Sequence, residues 1–334
     1  KKSKGMIRYK EGFLIVGLGW ILVSLFGALP FYLSGSVQSF LDAFFETVSG
    51  FTTTGSTILT DVEAMPKGLL FWRSFTHWLG GMGILVFAMA LLPALGAGSL
   101  QIFKAETTGP TTNKLTPKIG QTAKILYLVY LIITVAQIIT LRIAGMPLYD
   151  TLIHTFGTVG TGGFSNYNAS VGHFNNPAFE WIITIFMFIS GVNFTHYYDA
   201  LHGNIRNLVR DREFQLFILI VVIAIAIIAA NVYHTVYHNV AESIRQASFH
   251  VLSITSTSGF AAADYDQWPD LSRLILLLLM FIGACAGSTA GGIKIIRLLL
   301  VFKIIRKELY RLIHPRAVIA THIGDRAIPE DTLS

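Results

Sequence analysis

Three fifteen-residue segments hold the residues of this chain best suited to chemistry: DAFFETVSGFTTTGS from Asp42 to Ser56, DTLIHTFGTVGTGGF from Asp150 to Phe164, and QASFHVLSITSTSGF from Gln246 to Phe260. Aligned without gaps, each is an apolar, helix-compatible run that ends in Thr, Ser and Gly, with Gly55, Gly163 and Gly259 in one column. Such tails offer backbone: rings of carbonyl oxygens can replace the water shell of a cation. The elements that must position them follow from length. A run of about ten apolar residues is half of the roughly twenty that a membrane helix requires, so each segment reads as a re-entrant hairpin and not as a span. Loop backbone at membrane depth is tolerated only where it is buried in protein or lines a watery cavity, which makes the three hairpins a candidate pore lining.

Composition agrees with a membrane setting. The 334 residues are 53% hydrophobic and 13% charged, with mean hydropathy +0.59. Those values describe an all-α polytopic membrane protein and exclude an ordinary soluble enzyme of this length. Cys285 is the one cysteine, so no internal disulfide framework exists. The net charge of +6 does not indicate nucleic acid, because eighteen of the 25 lysines and arginines fall in residues 1–10, 94–124, 201–213 and 303–334, whereas the opposite loops hold Lys67 and Arg245. By the positive-inside rule the amino terminus and the basic loops are cytoplasmic. Asp42, Glu46, Asp61, Glu63, Asp150, Glu180, Glu242, Asp264, Asp266 and Asp270 fall on the other side and are expected to form a negative outer mouth that concentrates cations.

The hydrophobic pattern predicts six spans, at about 13–33, 69–92, 125–144, 179–198, 214–232 and 271–302. The last is anomalous. Its 32 residues would make a helix of about 48 Å against a hydrocarbon core of about 30 Å. The break is expected in GACAGSTAGGIK, Gly283 to Lys294, where each glycine costs roughly 1 kcal/mol relative to alanine in a helix. A glycine packing face accounts for the spacing of Gly283, Gly287 and Gly291 but not for the doubled Gly291–Gly292 or for Lys294, which would place its charge at the pore or the inner interface.

Other chemistry is weaker. His234 and His238 stand one helical turn apart, but two histidines without a third ligand do not make a metal site. His77, His154 and His250 lie near Ser and Thr as in a hydrolase, yet no HExxH or GxSxG pattern is present. His154 and His250 also share the column of Glu46, which favours a structural role. A secondary transporter of another solute would use similar broken helices, without requiring a repeated Thr/Gly column.

The chain thus divides into a first pore repeat (1–93), a second with its preceding cytoplasmic loop (94–200), a third with an intramembrane loop (201–313), and a lead-in (314–334) to a further repeat. At the same period a fourth hairpin would lie about a hundred residues past Gly259, beyond Ser334, so the sequence is expected to be a fragment.

The motifs YKEGFLIV, DAFFETVSGFTTTGST, GGMGI, TGGFS, STSGF, GACAGSTAGGIKIIR and HPRAV resemble those of the Trk/Ktr/HKT superfamily of potassium-uptake subunits, which includes the bacterial TrkH and TrkG proteins. The resemblance runs over essentially the whole chain. It implies helix, re-entrant pore loop, helix units around a pseudo-fourfold, potassium-selective pore in the bacterial inner membrane. It further implies a homodimer controlled by a cytosolic nucleotide-binding TrkA-type ring, with no cofactor bound covalently, no metal other than transported potassium, no nucleic acid and no catalytic residue. Carried over by position, the coordinating residues would be Thr53, Thr54 and Gly55; Thr161, Gly162 and Gly163; Thr257, Ser258 and Gly259. The gate would run from Gly283 through Ala284, Cys285, Ala286, Gly287, Ser288, Thr289, Ala290 and Gly291 to Gly292, with Lys294 beside it. Against that family, the sequence is expected to lack the first two helices and the fourth repeat.

Overall fold

The computed structural model describes residues 9–83, 119–314, 322–323 and 326–327. The cytoplasmic loop expected at 94–124 and the inner half of the second expected span lie largely outside the described residues, as does most of the segment after His314.

Each repeat begins with a long apolar helix: α1 (Tyr9–Leu33), α4 (Ile119–Ile143) and α9 (Arg212–Val232). Among the described residues these are the three helices long and apolar enough to cross a membrane, and they remain largely unburied within the protein, as lipid-facing helices must. Each is followed by a short amphipathic helix, α2 (Phe40–Phe51), α5 (Leu148–Val159) and α10 (Val240–Thr255). The short helices start cleanly: Ser39 caps α2 by accepting from Asp42 N, and Asn239 caps α10 by accepting from Ala241 N and Glu242 N. A return strand then leads to a second helix, α3 (Lys67–Gly81), α6 (Pro177–Gly191) or α11 (Asp270–Phe281).

Packing closes these units against one another. The short helix of each repeat packs on its own long helix and, through α3 on α5 and α6 on α10, against the preceding repeat. Close approach needs small residues at the crossings. A side chain at Gly80 would strike the Phe51 carbonyl, and one at Gly81 would strike Gly160, so the glycines of GGMG seat α3 against the ends of two short helices.

Among the described residues the helix of the second expected span ends at Gly81, and the fourth and sixth expected spans are interrupted. The fourth stops at Gly191, restarts as α7 (Phe194–Leu201), and bends by 94° between them. Asn193 makes the restart possible, since its side chain caps α7 by accepting from Thr195 N at 3.0 Å. The sixth ends at Phe281 and resumes at Ile295 as α12 (Ile295–Ile313), leaving residues 282–294 outside any helix. A short helix, α8 (Ile205–Arg210), joins α7 to α9. His322–Ile323 and Arg326–Ala327 form a small antiparallel pair.

The acids do not all face the outer mouth. Glu46, Asp150 and Glu180 are buried. Glu46 pairs with Arg73 and Glu180 with Arg245 at 2.9 Å, while Asp150 accepts from Asn166 Nδ2 at 2.8 Å. A carboxylate taken out of water needs such partners, so these three serve the frame. Asp42, Asp61, Glu63, Asp264, Asp266 and Asp270 remain exposed.

Candidate functional site

The nine Thr, Ser and Gly residues come together at the ends of the short helices. At each end the helix closes in the same way. Thr54 N donates to Ser49 O, Gly162 N to Gly157 O and Ser258 N to Ser253 O, all at 2.9 Å; one residue earlier, Thr53 N, Thr161 N and Thr257 N donate to Gly50 O, Thr158 O and Ile254 O. This is the double closure of a Schellman motif, in which the residue after the cap takes the left-handed conformation and is ordinarily glycine. Here it is threonine each time: φ is 54° at Thr53, 56° at Thr161 and 59° at Thr257. A β-branched residue at positive φ is a genuine outlier costing about 1–2 kcal/mol, and such strain concentrates where backbone is held for function. Two residues on, Gly55, Gly163 and Gly259 are also left-handed, at 78°, 77° and 74°. Left-handed residues therefore alternate with a right-handed or extended one in all three tails.

The tails abut in order. A side chain on Gly55 would collide with Gly162 O, and one on Gly163 with Ser258 O, so the first loop touches the second and the second touches the third. The second is accordingly the most enclosed, with Thr161, Gly162 and Phe164 buried.

Side chains brace the tails from behind. Ser49 Oγ donates to Ser56 O and Ser253 Oγ to Phe260 O, each at 2.6 Å; the matching position of the second repeat is Gly157, where the Phe260 ring fills the space. The column of Glu46, His154 and His250 ties each short helix to its return strand. Glu46 accepts from Thr57 Oγ1 at 2.8 Å and Ile58 N at 3.0 Å, His154 Nε2 meets Ser165 Oγ at 3.0 Å, and His250 Nε2 meets Ala263 O at 3.1 Å. Both histidines spend Nδ1 on the carbonyl four residues back. His250 thus has both ring nitrogens on backbone carbonyls, whereas His154 divides its two between a carbonyl and the Ser165 hydroxyl of its own return segment. His234 and His238 follow the carboxyl end of α9, and among the described residues no group of three metal-binding side chains exists.

Sequence reasoning missed two residues of the frame. Arg73 is buried; its Nε donates to Glu46 at 2.5 Å, its Nη1 to Ser165 O at 3.0 Å, and its guanidinium lies 3.4 Å over the Phe164 ring. One turn on, His77 stacks on Phe164 and accepts from Phe164 N through Nδ1 at 3.3 Å. Together they join the first repeat to the return strand of the second. The signal was present, since an arginine inside a hydrophobic span is expensive without a partner.

The interruption at 282–294 lies against the same centre, in contact with Thr257. Gly291 N donates to Thr257 Oγ1 at 2.7 Å, and the Thr289 hydroxyl is shared between Val159 O at 3.0 Å and Ser190 O at 3.3 Å. The bend of the fourth span wraps the loop: Cys285 N donates to Gly191 O and Phe194 N to Gly287 O, both at 3.0 Å. Glu213, in the first turn of α9, accepts from Ala286 N at 2.6 Å and Ile296 N at 3.1 Å. Lys294 differs from the sequence expectation. It is buried, and its ammonium donates to Ala290 O within the loop, because loop carbonyls without helical partners offer it a nearer acceptor than the pore or the interface.

Three short helices that end in strained carbonyl-bearing turns around one centre, with a non-helical loop against them, define a membrane protein of the re-entrant pore-loop class. The model of the TrkH family, described as a cation transport protein, matches residues 1–334. The Trk system potassium uptake protein TrkH of Salmonella typhimurium is 44% identical over 337 residues, covering all of this chain and 70% of that protein. Escherichia coli TrkG, also described as a Trk system potassium uptake protein, is 38% identical over 99% of this chain and 69% of its own length. The crystal structure of the potassium transporter TrkH from Vibrio parahaemolyticus superposes with a TM-score of 0.86 at 37% identity, over the whole of this chain and 69% of that one. The chain belongs to the TrkH family of cation transport proteins.

Proposed function

We propose that this chain takes up potassium across the bacterial inner membrane, the ion passing along the line on which the three strained tails converge. The carrying observation is the threefold recurrence of a left-handed threonine followed, two residues later, by a left-handed glycine. That alternation is costly unless the carbonyls it orients are used. The coordinating groups are Thr53, Thr54 and Gly55; Thr161, Gly162 and Gly163; and Thr257, Ser258 and Gly259, and the three units 1–93, 94–200 and 201–313 each contribute one tail. The negative ends of α2, α5 and α10 point at the site, worth about 0.3–1 kcal/mol each for a cation and more where water is excluded.

Residues 283–292 are the movable constriction. Their contacts to Val159 and Thr257, at the ends of two of the short helices, support this reading. The amino terminus faces the cytoplasm, where the basic segments gather. The protein works as a homodimer under a cytosolic nucleotide-binding ring of the TrkA type, and potassium is cargo, with no bound cofactor and no catalysis. The test is uptake by the whole transporter in cells lacking other potassium systems. Growth at low potassium and saturable rubidium flux are expected; flux of sodium at the same rate as potassium would refute the reading.

A further inference from the structure

We infer that Glu213 is the positioning residue that fixes the conformation of the 282–294 loop and transmits to it the position of the α7–α9 corner. Its carboxylate is buried, and one oxygen, Oε1, accepts from backbone on both limbs of the loop: Ala286 N on the way in and Ile296 N on the way out. Ile296 N belongs to the first turn of α12, where backbone donors have no helical acceptor, so the carboxylate meets an unfilled need at the positive end of a helix. Hydrogen bonds from a backbone N–H to a carboxylate are roughly twice as strong as neutral ones. The other contacts of the loop described above, to Gly191, Val159, Ser190 and Thr257, are to neutral partners.

Glu213 is itself held from the inner side. Asp211 Oδ1 accepts from Glu213 N at 2.8 Å as the cap of α9, and Asp211 Oδ2 pairs with His196 Nε2 of α7 at 2.6 Å. A displacement of α7 or α8 therefore reaches the loop through two side chains. Because Glu213 binds peptide N–H groups, the loop sequence between its limbs is free to be small and mobile while its ends stay fixed. This inference rests on the reading of the loop as the constriction only for its effect on flux.

The test uses the whole transporter in lipid vesicles and reads two things: alkylation of Cys285, followed on its own peptide by mass spectrometry, and rubidium flux without the cytosolic ring. Cys285 is buried in the first limb of the loop and reports its release. Glu213→Ala is expected to raise the Cys285 alkylation rate about tenfold and flux by a similar factor, with the potassium-to-sodium ratio unchanged. Glu213→Gln, which keeps size and an acceptor oxygen but loses the charge, is expected to give about threefold and serves if the alanine variant does not fold. Wild-type alkylation in either folded variant overturns the inference. Faster alkylation with unchanged flux upholds it and instead removes the reading of the loop as an obstruction.

Discussion

The Thr/Gly tails and the 282–294 loop are both non-helical backbone in the same centre, yet the balance of local and distant contacts that holds them differs. Each tail is closed by bonds to its own helix five residues back and braced by a side chain seven or eleven residues away. The two limbs of the loop pair with each other, Gly283 N donating to Ile293 O and Ile295 N to Ala284 O, and the loop leans besides on α5, the bend after α6, α9 and Thr257, up to 130 residues distant in sequence. Locally closed backbone keeps its shape when its neighbours shift. Backbone that takes distant partners follows them, so on the proposed function one centre can be selective and still open.

The comparison breaks hardest at Arg73, which with His77 ties the mostly local frame of the second tail to the first repeat. Arg73→Met leaves Glu46 buried without its cation and is expected to cost about 3–5 kcal/mol, read as a fall in melting temperature in detergent. Adding Glu46→Gln should recover most of that loss; a single variant as stable as wild type would show that Ser165 and Phe164 alone hold the second tail.

Next is Gly55→Ser. A side chain at φ 78° is strained and would meet Gly162 O, so the loss at the site is expected to be about 2–3 kcal/mol, seen as a potassium-to-sodium flux ratio lowered roughly fiftyfold. An unchanged ratio would remove Gly55 from the coordinating group.

Deleting Ala286 to Gly291 sharpens the contrast, since it should alter the loop and spare the tails. Flux is expected to rise about tenfold and to lose its dependence on the cytosolic ring, at constant selectivity. Unchanged flux in well-expressed protein would mean that these residues only pack helices.

The smallest effect is expected from Thr289→Val, which removes a hydroxyl shared by two carbonyls at near-constant volume. A loss of about 1 kcal/mol in loop closure should raise basal flux roughly threefold to fivefold. Reduced flux would place Thr289 in the conducting path and not in the closed state.

What was legible in the sequence tracks the same division. The hairpins could be read because local closure repeats local residues: the glycine column and the apolar run before it recur three times. The interruption of the sixth span could be read from length and four glycines. The bend of the fourth could not, since Gly191 and Asn193 are unexceptional in an apolar run and the break depends on Gly287 and Cys285 from another repeat. The left-handed threonines ran against residue preference, which reserves that conformation for glycine and asparagine. Glu213 was hidden by distance, its acceptor role fixed by amides 73 and 83 residues away. The acids of the supposed outer mouth misled because charge was counted without partners; Glu46 and Glu180 belong to buried ion pairs.

The coordinating tails consist of threonine, serine and glycine, and none of these titrates near neutral pH. On the proposed function, their attraction for a cation comes from carbonyl dipoles and from three helix ends, each equivalent to about half a negative charge, that no acid can neutralise. A proton, which competes with metal ions at every carboxylate site, has no seat here. On the proposed function, the ion preference of the centre should accordingly stay constant as external pH falls.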